Sequence, residues 1–254
     1  MRGKSRHLFL AISLLATVLI FLTLARFSPK KATPTVDEIL DKYVRAIGGR
    51  TAIDKVKTLV EKGSFESGNE FGKMTIYIKS PNKMLTVTDL PEGGLQRYGC
   101  DGTVAWAEDQ SRRVVEVRGP LLQAALRECG KFEASRMREL FKKVDFRGTA
   151  TANGRDAYVL EAVADDGLLT VDCFDVETGL LVQEQTQTPQ GSDANYLSKL
   201  TILKYKEIEG VKVPSTVYQE SPDSQTTVNW EEFQVNVPID DSLFAKPTEI
   251  PERQ

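Results

Sequence analysis

From Thr58 to Asn236 the chain is a succession of short segments in which polar and apolar residues alternate, or in which β-branched and aromatic residues crowd together. The segments are Thr58–Glu66, Gly72–Ser80, Lys83–Asp89, Leu95–Cys100, Thr103–Ala107 and Arg112–Arg118. After a gap they resume as Lys143–Gly148, Ala157–Ala164, Leu168–Phe174, Leu180–Gln187, Leu197–Ile208, Val213–Glu220 and Thr226–Asn236. A period of two belongs to a strand with one buried face. Asp101-Gly102, Asn153-Gly154, Glu209-Gly210 and similar turn signals separate the segments, and Asp-Gly between two such runs is a strong hairpin signal. Connections this short cannot form parallel crossovers, so sequential neighbours pair antiparallel.

The remaining segments have helical spacing. Thr35 caps a helix and Glu38 completes a capping box. Ile39, Leu40, Tyr43, Val44 and Ile47 form its apolar stripe, and Gly48-Gly49 stops it. A second short helix is expected over Thr51–Lys57. The gap between the strand groups holds a helical insertion that starts at Pro120, carries Leu121, Leu122, Ala125 and Leu126, and breaks at Gly130. Met137, Leu140 and Phe141 repeat the pattern. The tail from Pro238 to Gln254 reads as irregular. The expected fold is therefore mainly β (α+β): one large curved antiparallel sheet with helices covering one face, since one face of such a sheet must be covered. A curved sheet under a helical lid encloses an apolar space that either holds a ligand or is packed core.

Ahead of this domain, Leu8 to Ala25 form eighteen consecutive uncharged residues, flanked by Arg2, Lys4 and Arg6 on one side and by Arg26, Lys30 and Lys31 on the other. A basic start followed by an apolar core is the pattern of a secretory signal or a signal anchor, and the run just meets the length that spans a bilayer. Residues 1–31 are thus read as a signal peptide or N-terminal membrane anchor, and residues 32–254 as one exported domain. Without a Cys at the end of the run, a lipid-modified N-terminus is excluded. Localisation in the periplasm is expected, with attachment to the inner membrane through residues 8–25 if the leader is retained.

Charge and composition exclude several functions. Beyond residue 31 the chain carries 27 basic and 36 acidic residues, a net of 27 − 36 = −9. A domain that acidic disfavours nucleic acid and anionic lipid surfaces. The single His is His7, in the leader, so the domain has no Ser-His-Asp triad, Cys-His pair or His-based zinc site. No phosphate-binding loop and no CxxC is present. Asp165-Asp166-Gly167 reads as a turn, because it lacks the spaced oxygen ligands of a calcium loop. A pair of carboxylates placed by the fold is all a glycosidase needs, and nothing in the sequence singles one out. No catalytic residue, metal or cofactor is assigned. Cys100, Cys129 and Cys173 are either small buried apolar residues or, for Cys100 and Cys129, a disulfide.

If the sheet encloses a cavity, strand alternation nominates its wall. The candidates are Met74, Ile76 and Ile78 on one strand, Val104 and Trp106 on another, and Leu200, Ile202, Val228 and Trp230 near the end. Each of these is equally suited to packed core.

Several stretches resemble the LolA-like superfamily of bacterial outer-membrane lipoprotein-sorting proteins. They are Thr35 to Tyr43 with Ala46-Ile47-Gly48-Gly49 and Ala52-Ile53; Tyr77 to Lys83, with its Pro-Asn-Lys; and Gly99-Cys100-Asp101-Gly102 with Trp106. Asp175 to Leu180, Gly210 to Pro214, and Asp240 to Phe244 with Pro247 complete the series. Together they run from about residue 35 to 247. The resemblance implies a half-open β-barrel with helices in its mouth and a concave face that binds lipid chains, lipoproteins or hydrophobic effectors without catalysis. The expected partner is a lipid or acylated lipoprotein. The alternative is a membrane-tethered sensor or regulator of the same fold that binds an envelope protein such as an anti-sigma factor.

Overall fold

The computed structural model describes residues 33–109, 111–130, 132–187 and 197–247. The expected leader, residues 1–31, lies outside the described residues. Among the described residues no helix is long and apolar enough to cross a membrane.

The strands are β1 (Thr58–Ser67), β2 (Glu70–Lys79), β3 (Lys83–Leu90), β4 (Gly94–Cys100), β5 (Ala105–Glu108) and β6 (Val114–Glu116), followed by β7 (Lys143–Ala152), β8 (Arg155–Val163), β9 (Leu169–Asp175), β10 (Leu181–Gln187), β11 (Leu197–Ile208), β12 (Val211–Ser221) and β13 (Ser224–Val235). They form one antiparallel sheet in the order β6-β5-β4-β3-β2-β1-β13-β12-β11-β10-β9-β8-β7. The sheet is curved and unclosed. Two meanders of nearest-neighbour hairpins meet along the β1–β13 ladder, where Leu59 faces Val235 and Phe65 faces Val228. Register shifts interrupt the β1–β13, β9–β10, β11–β12 and β7–β8 ladders. Bulges of this kind bend a strand and increase its twist.

Helices α1 (Val36–Ala46) and α2 (Arg50–Lys55) cover the concave face, with the insertion that holds α3 (Pro120–Glu128), a 3-10 turn at Glu133–Arg136 and α4 (Met137–Leu140). The Thr35 capping box forms as expected. The Glu38 amide donates to Thr35 Oγ1 at 3.2 Å, and the Thr35 amide donates to Glu38 Oε2 at 2.7 Å. Ile39, Leu40, Tyr43 and Ile47 are buried in the main core with Phe174, Leu160, Ile202 and Val228. Each such side chain contributes roughly 1.5–3 kcal/mol when fully buried. Gly48 ends α1 at φ +124°, and a Cβ there would lie 2.2 Å from the Gly210 carbonyl oxygen. That close approach lets the Lys212 amide donate to the Ile47 carbonyl at 2.9 Å and ties the lid to the β11–β12 turn.

Strands β5 and β6 each start two residues later than their sequence pattern suggests, and both delays trace to aspartates. Asp101 Oδ1 accepts from the Thr103 and Val104 amides, each at 2.8 Å, so β5 starts at Ala105 rather than Thr103. Asp109 Oδ1 accepts from the Ser111 and Arg113 amides, each at 3.0 Å, and β6 keeps three residues. These are local side-chain turns competing with the ladder.

The tail corrects the irregular reading. Asp240 caps a 3-10 turn at Asp241–Phe244 by accepting from the Ser242 amide at 2.8 Å. Phe244 is fully buried on the convex side with Leu85, Trp106 and Val114. Trp106 Nε1 donates to the Phe244 carbonyl at 3.0 Å. Lys79 and Lys83 both pair with Asp241, at 2.7 and 2.9 Å.

All three cysteines are buried and unpaired. Cys100, at the end of β4, and Cys129, at the end of α3, are fully enclosed in one small cluster with Ala105 and Ala125, and Cys100 Sγ donates to the Asn82 carbonyl at 3.8 Å. The reading as small buried apolar residues is therefore the one the structure has, and the disulfide alternative is not formed, although Cys100 and Cys129 share one cluster. Mild oxidation by a small-molecule diazene such as diamide is expected to join them, with loss of two hydrogens. Closing a roughly 30-residue loop stabilises by about 3–4 kcal/mol on the chain-entropy account. Intact mass and thermal midpoint, with and without reductant, check this. An unchanged mass after oxidation would show that the two sulfurs do not reach bonding geometry.

Candidate ligand-binding cavity

Strand alternation aims one set of side chains into the concavity. On β2 these are Met74, Ile76 and Ile78, and in the paired register Gly63, Glu61 and Leu59 of β1 lie opposite them. Phe65 follows on β1 and faces Val228 of β13, with Trp230 beside Gly63. A Cβ at Gly63 would sit 2.0 Å from the Asn229 carbonyl oxygen. Glycine there allows the bulged β1 and β13 backbones to close on one another.

At the end of the concave face away from α1 is a cavity of about 580 Å³. This is within the size range of small-molecule sites. Its wall includes Phe65, Met74, Ile76, Leu90, Leu200, Val217, Val228 and Trp230, with Thr88, Gln96, Gln219 and Thr226 among its polar members. Two carboxylates, Glu61 and Glu70, belong to the lining, and no Lys, Arg or His does among the described residues.

The nine nominated residues separate into three groups. Met74, Ile76, Leu200, Val228 and Trp230 surround this cavity together. Ile78 and Ile202 point to the same face but lie deeper, buried at 8% and 5% exposure in the core beneath α1. Val104 and Trp106 do not reach the cavity. Val104 belongs to the turn before β5. Trp106 sits opposite Gly99, and its indole ring covers the spot where a Gly99 Cβ would be, on the convex face with Phe244. The hairpin turn at Asp101 sets that parity. Phe65, Glu61 and Val217 were not nominated. For Glu61 a signal was available, because it shares the parity of Leu59 and Phe65, both buried.

Glu61 is partly buried, and among the described residues no hydrogen bond or ion pair engages its carboxyl. Its cross-strand neighbours are Ile76 and Phe233. Burial alone pushes its pKa up to about 7. Further along the concave face, Asp172 on β9 lies opposite Glu184 on β10, which in turn lies opposite Leu200 of the cavity wall. Asp172 is 1% exposed and its Oδ1 has no hydrogen-bond partner. Burial, reinforced by Glu133, holds its carboxyl well above the usual range. Burial, then Asp172 and Glu128, raises Glu184 to about 8. Burial, then Glu184 and Glu128, raises Glu133 to about 8. Carboxyls lacking a counter-ion in such surroundings stay protonated near neutrality. The nearest buried cation, Arg127, is taken by Asp166 at 2.8 Å and lies over the Phe141 ring. Asp166 also accepts from the Leu168 amide at 3.0 Å, as the turn reading of Asp165-Asp166-Gly167 requires. Among the described residues no group of three or more Cys, His, Asp or Glu is placed to hold a metal ion.

By sequence, no protein-family model and no curated protein matches the chain. Solved structures do share its fold. A DUF1329 family protein from Desulfovibrio piger is 17% identical, with a TM-score of 0.58 over 84% of this chain and 98% of that one. A domain described as outer-membrane lipoprotein-sorting, from Vibrio parahaemolyticus, is 14% identical, with a TM-score of 0.56 over 82% and 97%. The LolA superfamily protein NE2245 from Nitrosomonas europaea is 11% identical, with a TM-score of 0.57 over 84% and 99%. At these identities the likeness establishes a common fold. The resemblance that the sequence carries in short motifs therefore extends to the architecture of the whole described domain.

Proposed function

We propose that the protein is an exported, envelope-located carrier that holds the alkyl chains of a lipid or acylated protein on the concave face of its sheet, without catalysing a reaction. The observation that carries this reading is the cavity of about 580 Å³ whose wall Met74, Ile76, Leu200, Val228 and Trp230 build from strands of both meanders. Each alkyl methylene moved from water to such a wall contributes roughly 0.8 kcal/mol, so chain binding requires no polar motif. The fold shared with a lipoprotein-sorting domain and a LolA superfamily protein supports it. The charge-free run ahead of the domain supports export.

Native mass spectrometry of the protein, purified gently from a bacterial envelope, tests the reading. Copurified lipid or acylated protein is the expected result. A clean mass, together with failure to take up a neutral fluorescent alkyl probe, would replace it with the protein-binding alternative. Ile76→Asp puts a carboxylate against the bound chain and removes about 1.5–3 kcal/mol of apolar contact. Probe affinity is expected to fall about tenfold or more. Unchanged affinity in the folded variant would remove this wall from the site.

A further inference from the structure

The cavity wall has a charge pattern that a purely apolar chain does not need. Every ionisable group on it is acidic. Glu70 is exposed. Glu61 is inside, between Ile76 and Phe233, and among the described residues no donor engages it. An unpaired carboxyl facing an apolar space is costly unless something satisfies it. Next to the cavity wall, Glu184 and Asp172 continue an acidic row from Leu200 inward, and the buried Arg127 beyond them is engaged by Asp166. An anionic headgroup entering this space would meet like charge and, among the described lining residues, no cation. A protonated amine would find a carboxylate acceptor and, in Trp230, an aromatic wall.

Resting on the carrier reading above, we infer that the occupant of this cavity is an amphiphile with a protonated amine headgroup, whose alkyl chain packs against Met74, Ile76, Leu200 and Val228 and whose ammonium group donates to the Glu61 carboxylate. Fatty acids and other anionic lipids are selected against by the same residue.

Three probes of equal chain length separate the two readings: dodecylamine, dodecanol and dodecanoate. Each is titrated by displacement of a neutral fluorescent alkyl probe from the full chain, held in solution by a neutral amphiphilic polymer. At pH 8 the amine is expected to bind at least tenfold tighter than the alcohol, and the carboxylate weakest. In Glu61→Gln the amine-to-alcohol ratio should fall to near one. The wild-type ratio should also rise between pH 6 and pH 8, because Glu61 ionises there while the amine stays protonated. Burial alone sets that titration. Ile76 and Phe233 flank Glu61 across the strands, Lys206 Nζ lies 5.3 Å from the centre of the Phe233 ring, and no charge contributes to the upward shift of Glu61. The wild-type pH profile keeps the inference testable if the variant fails to fold.

Carboxylate binding as tight as amine binding would overturn the amine assignment and leave the carrier reading standing. So would a ratio that ignores both pH and Glu61→Gln. Failure of all three probes would remove the carrier reading and this inference with it.

Discussion

Phe244→Ala is expected to lower folding stability by about 3–5 kcal/mol, the usual cost of deleting a fully buried phenyl ring. Phe244 is 0% exposed and closes a small convex-side core with Leu85, Trp106 and Val114. The backbone that carries it accepts the Trp106 indole N–H, so loss of the ring also loosens the only hydrogen bond of that buried indole. Urea unfolding measures the cost, and the Trp106 emission should shift red as water reaches it. Phe71→Ala serves as the comparison. Phe71 is 63% exposed, and its removal should change stability little. A cost below about 1 kcal/mol for Phe244→Ala would mean that the tail is not part of the cooperative fold.

The second large effect is a loss of stability as pH rises from 5 to 8, opposite to the acid lability of most proteins. Glu133 and Glu184 have folded-state pKa values of about 8, Glu61 about 7, and Asp172 lies well above its ordinary value. In the unfolded chain all four ionise near pH 4. Between those limits the folded state binds more protons than the unfolded state, so stability is full below about pH 4 and declines as pH climbs toward 8. One retained proton is worth about 1.4 kcal/mol per pH unit, and this mutually repelling set should give a slope on the order of 1–3 kcal/mol per unit. Carboxylates stabilised in their ionised form titrate lower and leave this window clear. Hydrogen bonds and charges from Lys79 and Lys83 hold Asp241 at about 2. The single His is His7, outside the described residues. Denaturant midpoints at pH 5, 6.5 and 8 check the slope, and Glu184→Gln should flatten it. Stability that is level or rises over this range would show that these carboxyls find counter-charges in solution.

Most of the β architecture was legible because a strand advertises its buried face with a period of two. Each segment read from the sequence became a strand, with ends displaced by a few residues where Asp101 and Asp109 diverted backbone amides. The Thr35 capping box was equally readable, since both of its partners are local. Cavity residues were harder, because parity is inherited from the preceding turn. On β2 alternation was uninterrupted, and Met74 and Ile76 both line the cavity. Trp106 follows a side-chain turn, and its face could not be known without the turn's geometry. Depth along a strand was not encoded either. Ile78 and Ile76 look alike in sequence, and only the position of α1 above the sheet buries one and leaves the other on the cavity wall. Phe244 was missed because a tail rich in Pro and Asp gives no periodic signal. Its burial depends on a groove that forms between elements distant in the chain.

The meeting of β1 with β13 has a kinetic corollary. Twelve strand pairs build the described sheet, and β1–β13 is the one between strands that are not consecutive in the chain. Local hairpins close quickly, whereas a ladder between distant residues must first meet the entropy of a long loop. As the chain emerges from the ribosome, the first meander can assemble while β1 still presents an unpaired edge, the kind of surface that invites misassembly. The cavity takes its walls from both meanders, so it comes into being only with that last pairing. Occupancy by ligand would then report completed folding, and a ligand present at that moment would act as a template for the seam.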